Sequence, residues 1–261
     1  MFFVDTRNTP AAERQHNLLL IWLTLTGVIV FGFVVCVNEG FVRALISGDV
    51  SKISVVIALI YLIGTLHCAK RVAYLSRELE FARQIDDICL NKPPAHVNHT
   101  SDGGVVLDGT RTLPASLAAD YLFEACQLNN MAAENAPTAA KGNLAEIFAQ
   151  KAKGPHDLGW FLTDLLLKLG LLGTIIGFIL MLGSVADTAS LDVNTMQKVL
   201  KQMSSGMGTA LFTTLAGLVG SILLGAQYLL LDKAGDELIE RTVRVTEVFI
   251  LPRLSRESGE S

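Results

Sequence analysis

Four long stretches without a charged residue constrain how this chain can fold. Residues 18–37, 53–69, 169–186 and 202–231 contain no Asp, Glu, Lys or Arg. An α-helix needs roughly 17 to 25 such residues to cross a bilayer. Because 51% of the 261 residues are hydrophobic and only 18% are charged, a soluble core would have too little polar surface to cover four such helices. The sequence therefore predicts an all-α membrane protein with four transmembrane helices arranged as two hairpins.

The distribution of Lys and Arg predicts the orientation of these helices. Nine of these residues lie in segment 70–157, five follow residue 231 and two precede residue 18, whereas the two remaining loops hold two each. Loops rich in Lys and Arg stay on the cytoplasmic side of a membrane. Both termini and the middle segment are therefore expected in the cytoplasm.

Apolar spacing predicts that the transmembrane helices have long cytoplasmic extensions. A stripe with a period of three to four residues continues the second helix from residue 53 to residue 90, and the fourth helix is expected to reach Pro252. Asn143 and Asp157 are candidate caps of later helices. The predicted organisation is a tail and first hairpin (1–69), a cytoplasmic helical segment (70–157) with a flexible loop (91–114), a second hairpin (158–232) and a C-terminal helix and tail (233–261).

The polar residues show no motif of a known enzyme. There is no glycine-rich phosphate loop, no HExxH and no Gly-x-Ser-x-Gly, so neither enzymatic activity nor a resident cofactor is expected. His96 and His99 are interpreted as solvated, with no metal site, and Glu39 and Asp49 as ordinary loop carboxylates. The net charge of −4 without a basic cluster gives no reason to expect nucleic-acid binding.

The second hairpin is rich in small residues at helical spacing. Small residues at such positions let two helices approach closely inside a membrane. Packing alone is one interpretation of this pattern, with the Thr hydroxyls bonded to carbonyls of their own helix. The predicted packing positions are Gly173, Gly177, Gly217, Gly220 and Ser221.

Depth suggests a second interpretation for two of the threonines. Thr174 lies twelve positions before Ala186, and Thr214 lies twelve positions after Gln202, so both are about 18 Å from the outer end of the hairpin. A ring of subunits would turn them into a belt of hydroxyls suited to an ion path. No predicted span contains an acidic residue, so a titrating carboxylate would have to come from a partner.

The second hairpin resembles the MotA/TolQ/ExbB family of ion-driven motor subunits. The similarity lies in the threonine-bearing segments Gly170–Thr174 and Ala210–Leu218, and the four-span layout resembles the MotA and PomA branch. Two departures stand out: Thr209 occupies the position of the intramembrane Glu of ExbB, and residues 221–224 lack the proline common in ExbB and TolQ.

The resemblance implies a homopentamer in the bacterial inner membrane, surrounding two copies of a single-span partner of the MotB/ExbD/TolR type with an intramembrane Asp. Ion flow would then drive rotation, with Thr174 and Thr214 facing that Asp and with Thr213 as a further residue of the ion pathway. The Thr213–Thr214 pair is similar to sodium-driven PomA, yet ExbB-type proton channels also keep threonines, and we favour protons over sodium. The alternatives are a structural membrane scaffold and a self-sufficient small channel or transporter.

Overall fold

The computed structural model describes residues 17–91, 97–99, 105–107, 111–113, 116–132, 139–186 and 193–252. Its helices are α1 (Asn17–Asn38), α2 (Phe41–Gly48), α3 (Ile53–Asn91), α4 (Leu117–Ala132), α5 (Ala139–Lys153), α6 (His156–Ala186) and α7 (Val193–Arg244), and a π-helical segment (Val245–Ile250) follows α7. Helices α1, α3, α6 and α7 are long and apolar enough to cross a membrane. The predicted fold class, an all-α membrane protein with four spans, is confirmed.

Two helices are much longer than a bilayer requires. Helix α3 has 39 residues and α7 has 52, which correspond to about 58 Å and 78 Å of helix axis. The hydrocarbon core of a bilayer is about 30 Å thick. The continuous apolar stripe after residue 69 therefore predicted the extension of α3 correctly.

Several local predictions differ from the structure. Helix α5 begins at Ala139 and α6 at His156, so Asn143 lies inside its helix and Asp157 lies in a first turn. Helix α7 begins at Val193, so Lys198 and Lys201 are helical rather than in a loop. Asp157 stays in the first turn of α6, where the helix dipole favours an acidic residue.

The segment predicted as a flexible loop, residues 91–114, contains a small antiparallel sheet. Strands β1 (Val97–His99), β2 (Val105–Leu107) and β3 (Arg111–Leu113) pair in the order β1-β2-β3. Val105 and Val106 of β2 and Thr112 of β3 are residues that favour a strand, but the Gly and Pro residues around them dominated the prediction. His96 lies outside the described residues.

The chain forms two compact units. The hairpin unit comprises residues 20–70 and 157–230, and the extension unit comprises the described residues of segments 17–19, 71–156 and 231–252. In the extension unit, Glu78 of α3 accepts a hydrogen bond from the Leu117 amide at 2.9 Å, which satisfies an amide at the start of α4. The rings of Tyr121 and Phe148, 4.9 Å apart, join α4 to α5.

Candidate functional site: the second hairpin

Helices α6 and α7 are in direct backbone contact. A Cβ atom built on Gly217 would lie 2.7 Å from the Cα of Gly170 and from the carbonyl oxygen of Leu166. One built on Gly177 would lie 2.6 Å from the carbonyl oxygen of Gly206. No side chain fits at such distances, so the hairpin requires glycine at these positions.

The other predicted packing positions have looser surroundings. Gly173 faces the side chain of Thr213 so closely that a Cβ atom would overlap it. At Gly220 an added Cβ atom would make ordinary contacts with Leu166 of α6 and with Ile57 and Tyr61 of α3, at 3.6 to 3.9 Å. Ser221 is half-buried. The small-residue stripe of α7 therefore accommodates α6 tightly and reaches α3 near Gly220.

Thr213 lies inside the hairpin. Its side chain is fully buried, and its Oγ1 donates to its own helix, with the carbonyl oxygens of Thr209 and Ala210 at 2.8 Å and 3.1 Å. It fills the space left by Gly173. These contacts fit the packing interpretation of Thr213 better than the ion-path interpretation.

Thr174 and Thr214 lie at the edge of the same contact. Both are half-buried. The Thr214 Oγ1 has the carbonyl oxygens of Ala210 at 3.0 Å and of Gly170, on the facing helix, at 3.2 Å, whereas the Thr174 Oγ1 donates to the Leu171 carbonyl at 2.6 Å. Thr174 lies one turn beyond Gly170, so the structure places the two threonines near each other along the hairpin.

The antiparallel register gives their relative height. Gly173 faces Thr213 and Gly177 faces Ala210, so Thr174 is level with about residue 212. The difference of about two residues from Thr214 corresponds to about 3 Å along the axis. The structure therefore brings the two threonines to nearly one level, although their role in ion passage stays a prediction.

The surface around these threonines is apolar and exposed in the single chain. Leu171, Ile175, Leu211 and Leu215 each have more than half of their surface accessible. Exposed apolar surface of this extent marks a face that meets lipid or another protein. The two half-buried threonines therefore have sequence neighbours whose apolar side chains are exposed in the single chain.

Thr209, which the sequence resemblance aligns with the ExbB glutamate, makes hydrogen bonds within the hairpin unit. It is fully buried, accepts a hydrogen bond from the Val50 amide at 3.2 Å, and has the carbonyl oxygens of Gly48 and Ser205 as acceptors at 3.0 Å and 3.1 Å. The hydroxyl thus ties the loop of the first hairpin to α7. Sequence reasoning missed this contact because 159 positions separate Thr209 from Val50.

A polar group between α3 and α7 was also missed. The Nδ1 atom of His67 is 2.7 Å from the hydroxyl of Tyr228, which also lies 3.3 Å from the Gly64 carbonyl oxygen. Gln227 donates to the Tyr61 hydroxyl at 3.4 Å. One sequence feature could have indicated this polar group: His67 is the one histidine within the four charge-free stretches.

Two apolar helices packed through glycines, with exposed apolar faces, belong to a multi-span membrane protein. The model of the MotA/TolQ/ExbB proton channel family matches residues 167–243. This match confirms the resemblance seen in the sequence and includes both threonines of the hairpin. No curated protein and no solved structure gave a significant match.

Proposed function

We propose that this chain is the ion-conducting stator subunit of a membrane motor. Five copies surround two single-span partner helices, each with an intramembrane Asp, and proton flow across the inner membrane drives rotation. The chain carries out no reaction on a substrate and needs no resident cofactor. The observation that carries the proposal is the family match over the hairpin in which Thr174 and Thr214 lie at nearly one level.

The geometry supports a shared path rather than a path within one chain. The contact between α6 and α7 is closed by glycines, which leaves no passage inside a single hairpin. The two half-buried threonines lie at its edge, where a partner helix can approach them. A neutral hydroxyl there gives a proton-carrying carboxylate both a donor and an acceptor.

Thr24 provides a matched control for the test of this path. Its Oγ1 donates to the carbonyl oxygen three residues earlier, Ile21, at 2.8 Å, which is the same local bond that Thr174 makes. Substituting Val at either position removes one hydroxyl and keeps the side-chain shape. A difference in proton flux between Thr174→Val and Thr24→Val therefore reflects the surroundings of Thr174. It does not reflect the loss of a local hydrogen bond within a helix, because both variants lose that bond.

The experiment uses the complex as it is extracted from native membranes in mild detergent. Native mass measurement should give five copies of this chain with two copies of a single-span protein. After reconstitution with an internal pH-sensitive dye, Thr174→Val should reduce proton flux roughly ten- to hundredfold, the effect of losing about 1 to 3 kcal/mol. Thr24→Val should leave the flux unchanged.

Other results favour the alternatives. If the purified chain is monomeric, or if Thr174→Val assembles and conducts normally, the scaffold interpretation replaces the motor. Proton current without any single-span protein would indicate a self-sufficient channel. Flux that requires sodium at constant membrane potential would show that the transported ion is sodium and not the proton.

Thiol labelling tests the proposed orientation, in which both termini face the cytoplasm. Val50 is 58% exposed in the loop before α3, so Val50→Cys should react with an impermeant reagent added outside, whereas Gln150→Cys in α5 should react only after the membrane is opened. Native Cys126 is a poor reporter because it is buried, and burial raises the pKa of its thiol to about 11. External labelling of Gln150→Cys contradicts the orientation.

A further inference from the structure

A buried histidine and aspartate join the first turn of α6 to α7 in the extension unit. His156 is 1% exposed, and its Nδ1 atom lies 2.8 Å from Oδ1 of Asp232. His156 lies thirteen positions before the charge-free stretch of α6, and Asp232 directly follows that of α7. Both residues therefore lie outside the charge-free stretches, on the side of each stretch that the orientation places toward the cytoplasm.

The second ring nitrogen of His156 is without a hydrogen-bond partner among the described residues. An ionised carboxylate only accepts hydrogen bonds, so the proton of the neutral ring resides on Nδ1 and points to Asp232. The Nε2 lone pair is then buried with no donor. Gly235 contributes to this enclosure, because a Cβ atom there would be 3.4 Å from the His156 ring.

Burial is the main factor that disfavours a second proton on His156, and two nearby cations add to it. Arg71 of α3, which donates to the Ala152 carbonyl at 2.9 Å, and Lys153 of α5, which pairs with Asp236, both act on the ring. Asp232 of α7 opposes them, and Asp157 of α6 is exposed. Burial first, and then the two cations, lower the pKa of His156 below its ordinary value of 6.5.

We propose that His156 is a proton-binding site through which acidity on its side of the membrane regulates this chain. At neutral pH the uncharged ring holds α6 against α7 through Asp232. When acid adds a proton to Nε2, the ring becomes a buried cation with an N–H that has no acceptor among the described residues, and the junction loosens to admit water. Because the folded state binds this proton less readily than the unfolded chain, stability falls as the pH drops below about 6.5.

Two variants test the proposal by opposite routes. His156→Asn keeps an amide donor near the Nδ1 position but cannot take up a proton, so it should remove most of the loss in Tm between pH 7.5 and pH 5.5. Asp232→Asn keeps an acceptor oxygen and removes the charge that favours the protonated ring. It should move the His156 titration to lower pH by roughly one unit.

The titration is measured by ring-nitrogen NMR on the complex in lipid nanodiscs with labelled histidine. The His156 signal is the one missing from His156→Asn, and it should show a neutral Nδ1–H ring at pH 7.5 with a midpoint below 6.5. A charged ring at pH 7.5, or a Tm that falls equally in wild type and His156→Asn, overturns the proposal. His99→Asn is the control at a histidine of β1.

Regulation of proton flux rests on the proposed function, and its test keeps the two separate. In vesicles, acidifying the side that carries His156 should reduce flux in wild type and much less in His156→Asn. If Thr174→Val shows that the chain is no ion channel, the NMR and Tm measurements still decide whether His156 binds the proton. If acidification changes the flux equally in wild type and in His156→Asn, His156 does not regulate the flux, even if the chain is an ion channel.

Discussion

Helix α1 of the first hairpin and the contact between α6 and α7 of the second differ in how they use glycine. In α1, a Cβ atom added at Gly27 or Gly32 meets nothing within 4 Å, whereas one added at Gly217 of α7 would lie 2.7 Å from the backbone of α6. The apolar core of α1 has no buried residue, against 28% for α7. Glycine content alone therefore says little; the spacing of small residues on one face of both α6 and α7 is what indicated close packing.

The largest expected effect is at Gly217. Gly217→Ala places a methyl group against the Cα of Gly170, which cannot move without shifting α6, so we expect the hairpin to pack poorly. Overpacking of this kind typically costs about 1 to 3 kcal/mol. The assembled fraction, measured by native mass after extraction in mild detergent, should fall strongly.

Gly32→Ala is the matched control in the first hairpin. It adds the same methyl group in open space, so assembly should stay at the wild-type level. Equal losses of the assembled fraction in Gly32→Ala and Gly217→Ala would show that another protein surface packs tightly against α1 in the membrane. The contrast between α1 and the second hairpin would then hold for the isolated chain but not for the assembly.

The next effect separates two adjacent threonines within the second hairpin. Thr214→Val should reduce proton flux roughly ten- to hundredfold, because Thr214 lies at the edge of the helix contact and loses a donor and acceptor for the partner carboxylate. Thr213→Val should change flux little, since Thr213 is fully buried against Gly173. Flux is compared at equal amounts of reconstituted complex.

The reverse result is equally informative. If Thr213→Val abolishes flux while Thr214→Val does not, the ion path passes through the interior of the hairpin and the glycine contact must open. Loss of assembly in Thr214→Val without loss of flux per assembled complex would leave the packing interpretation in place.

The sequence predicted features that depend on periodicity and missed those that depend on distant contacts. The four spans, the long α3 and the close approach at Gly177 and Gly217 follow from apolar or small residues repeated at helical spacing. The bond from Thr209 to the loop of the first hairpin and the His156–Asp232 pair join residues far apart in the chain. A single His or Thr has no periodicity, so its partner is identified only when the helices are placed.

The same reasoning explains the different outcome for the two acidic residues of the first hairpin. Glu39 is exposed, as expected for a loop carboxylate, whereas Asp49 is 4% exposed and accepts hydrogen bonds from the Ser51 hydroxyl at 2.6 Å and the Ser54 amide at 2.7 Å. Asp49 thereby satisfies an amide at the start of α3. It also lies beside Gly48 and Val50, which hold Thr209 of the second hairpin.

The smallest expected effect therefore concerns Asp49. Burial alone would raise the pKa of Asp49, but the bonds from Ser51 and Ser54 outweigh it and lower the pKa below 3.8. A group with a lowered folded pKa stabilises the protein at neutral pH and loses that contribution only as the pH falls below the ordinary value. Asp49→Ala should cost about 0.5 to 2 kcal/mol, the usual range for a helix cap, seen as a lower Tm at pH 7, with Glu39→Ala unchanged. The difference between these two variants should shrink below about pH 4, and a Tm for Asp49→Ala equal to that of wild type at pH 7 would show that the cap contributes nothing to the joint between the hairpins.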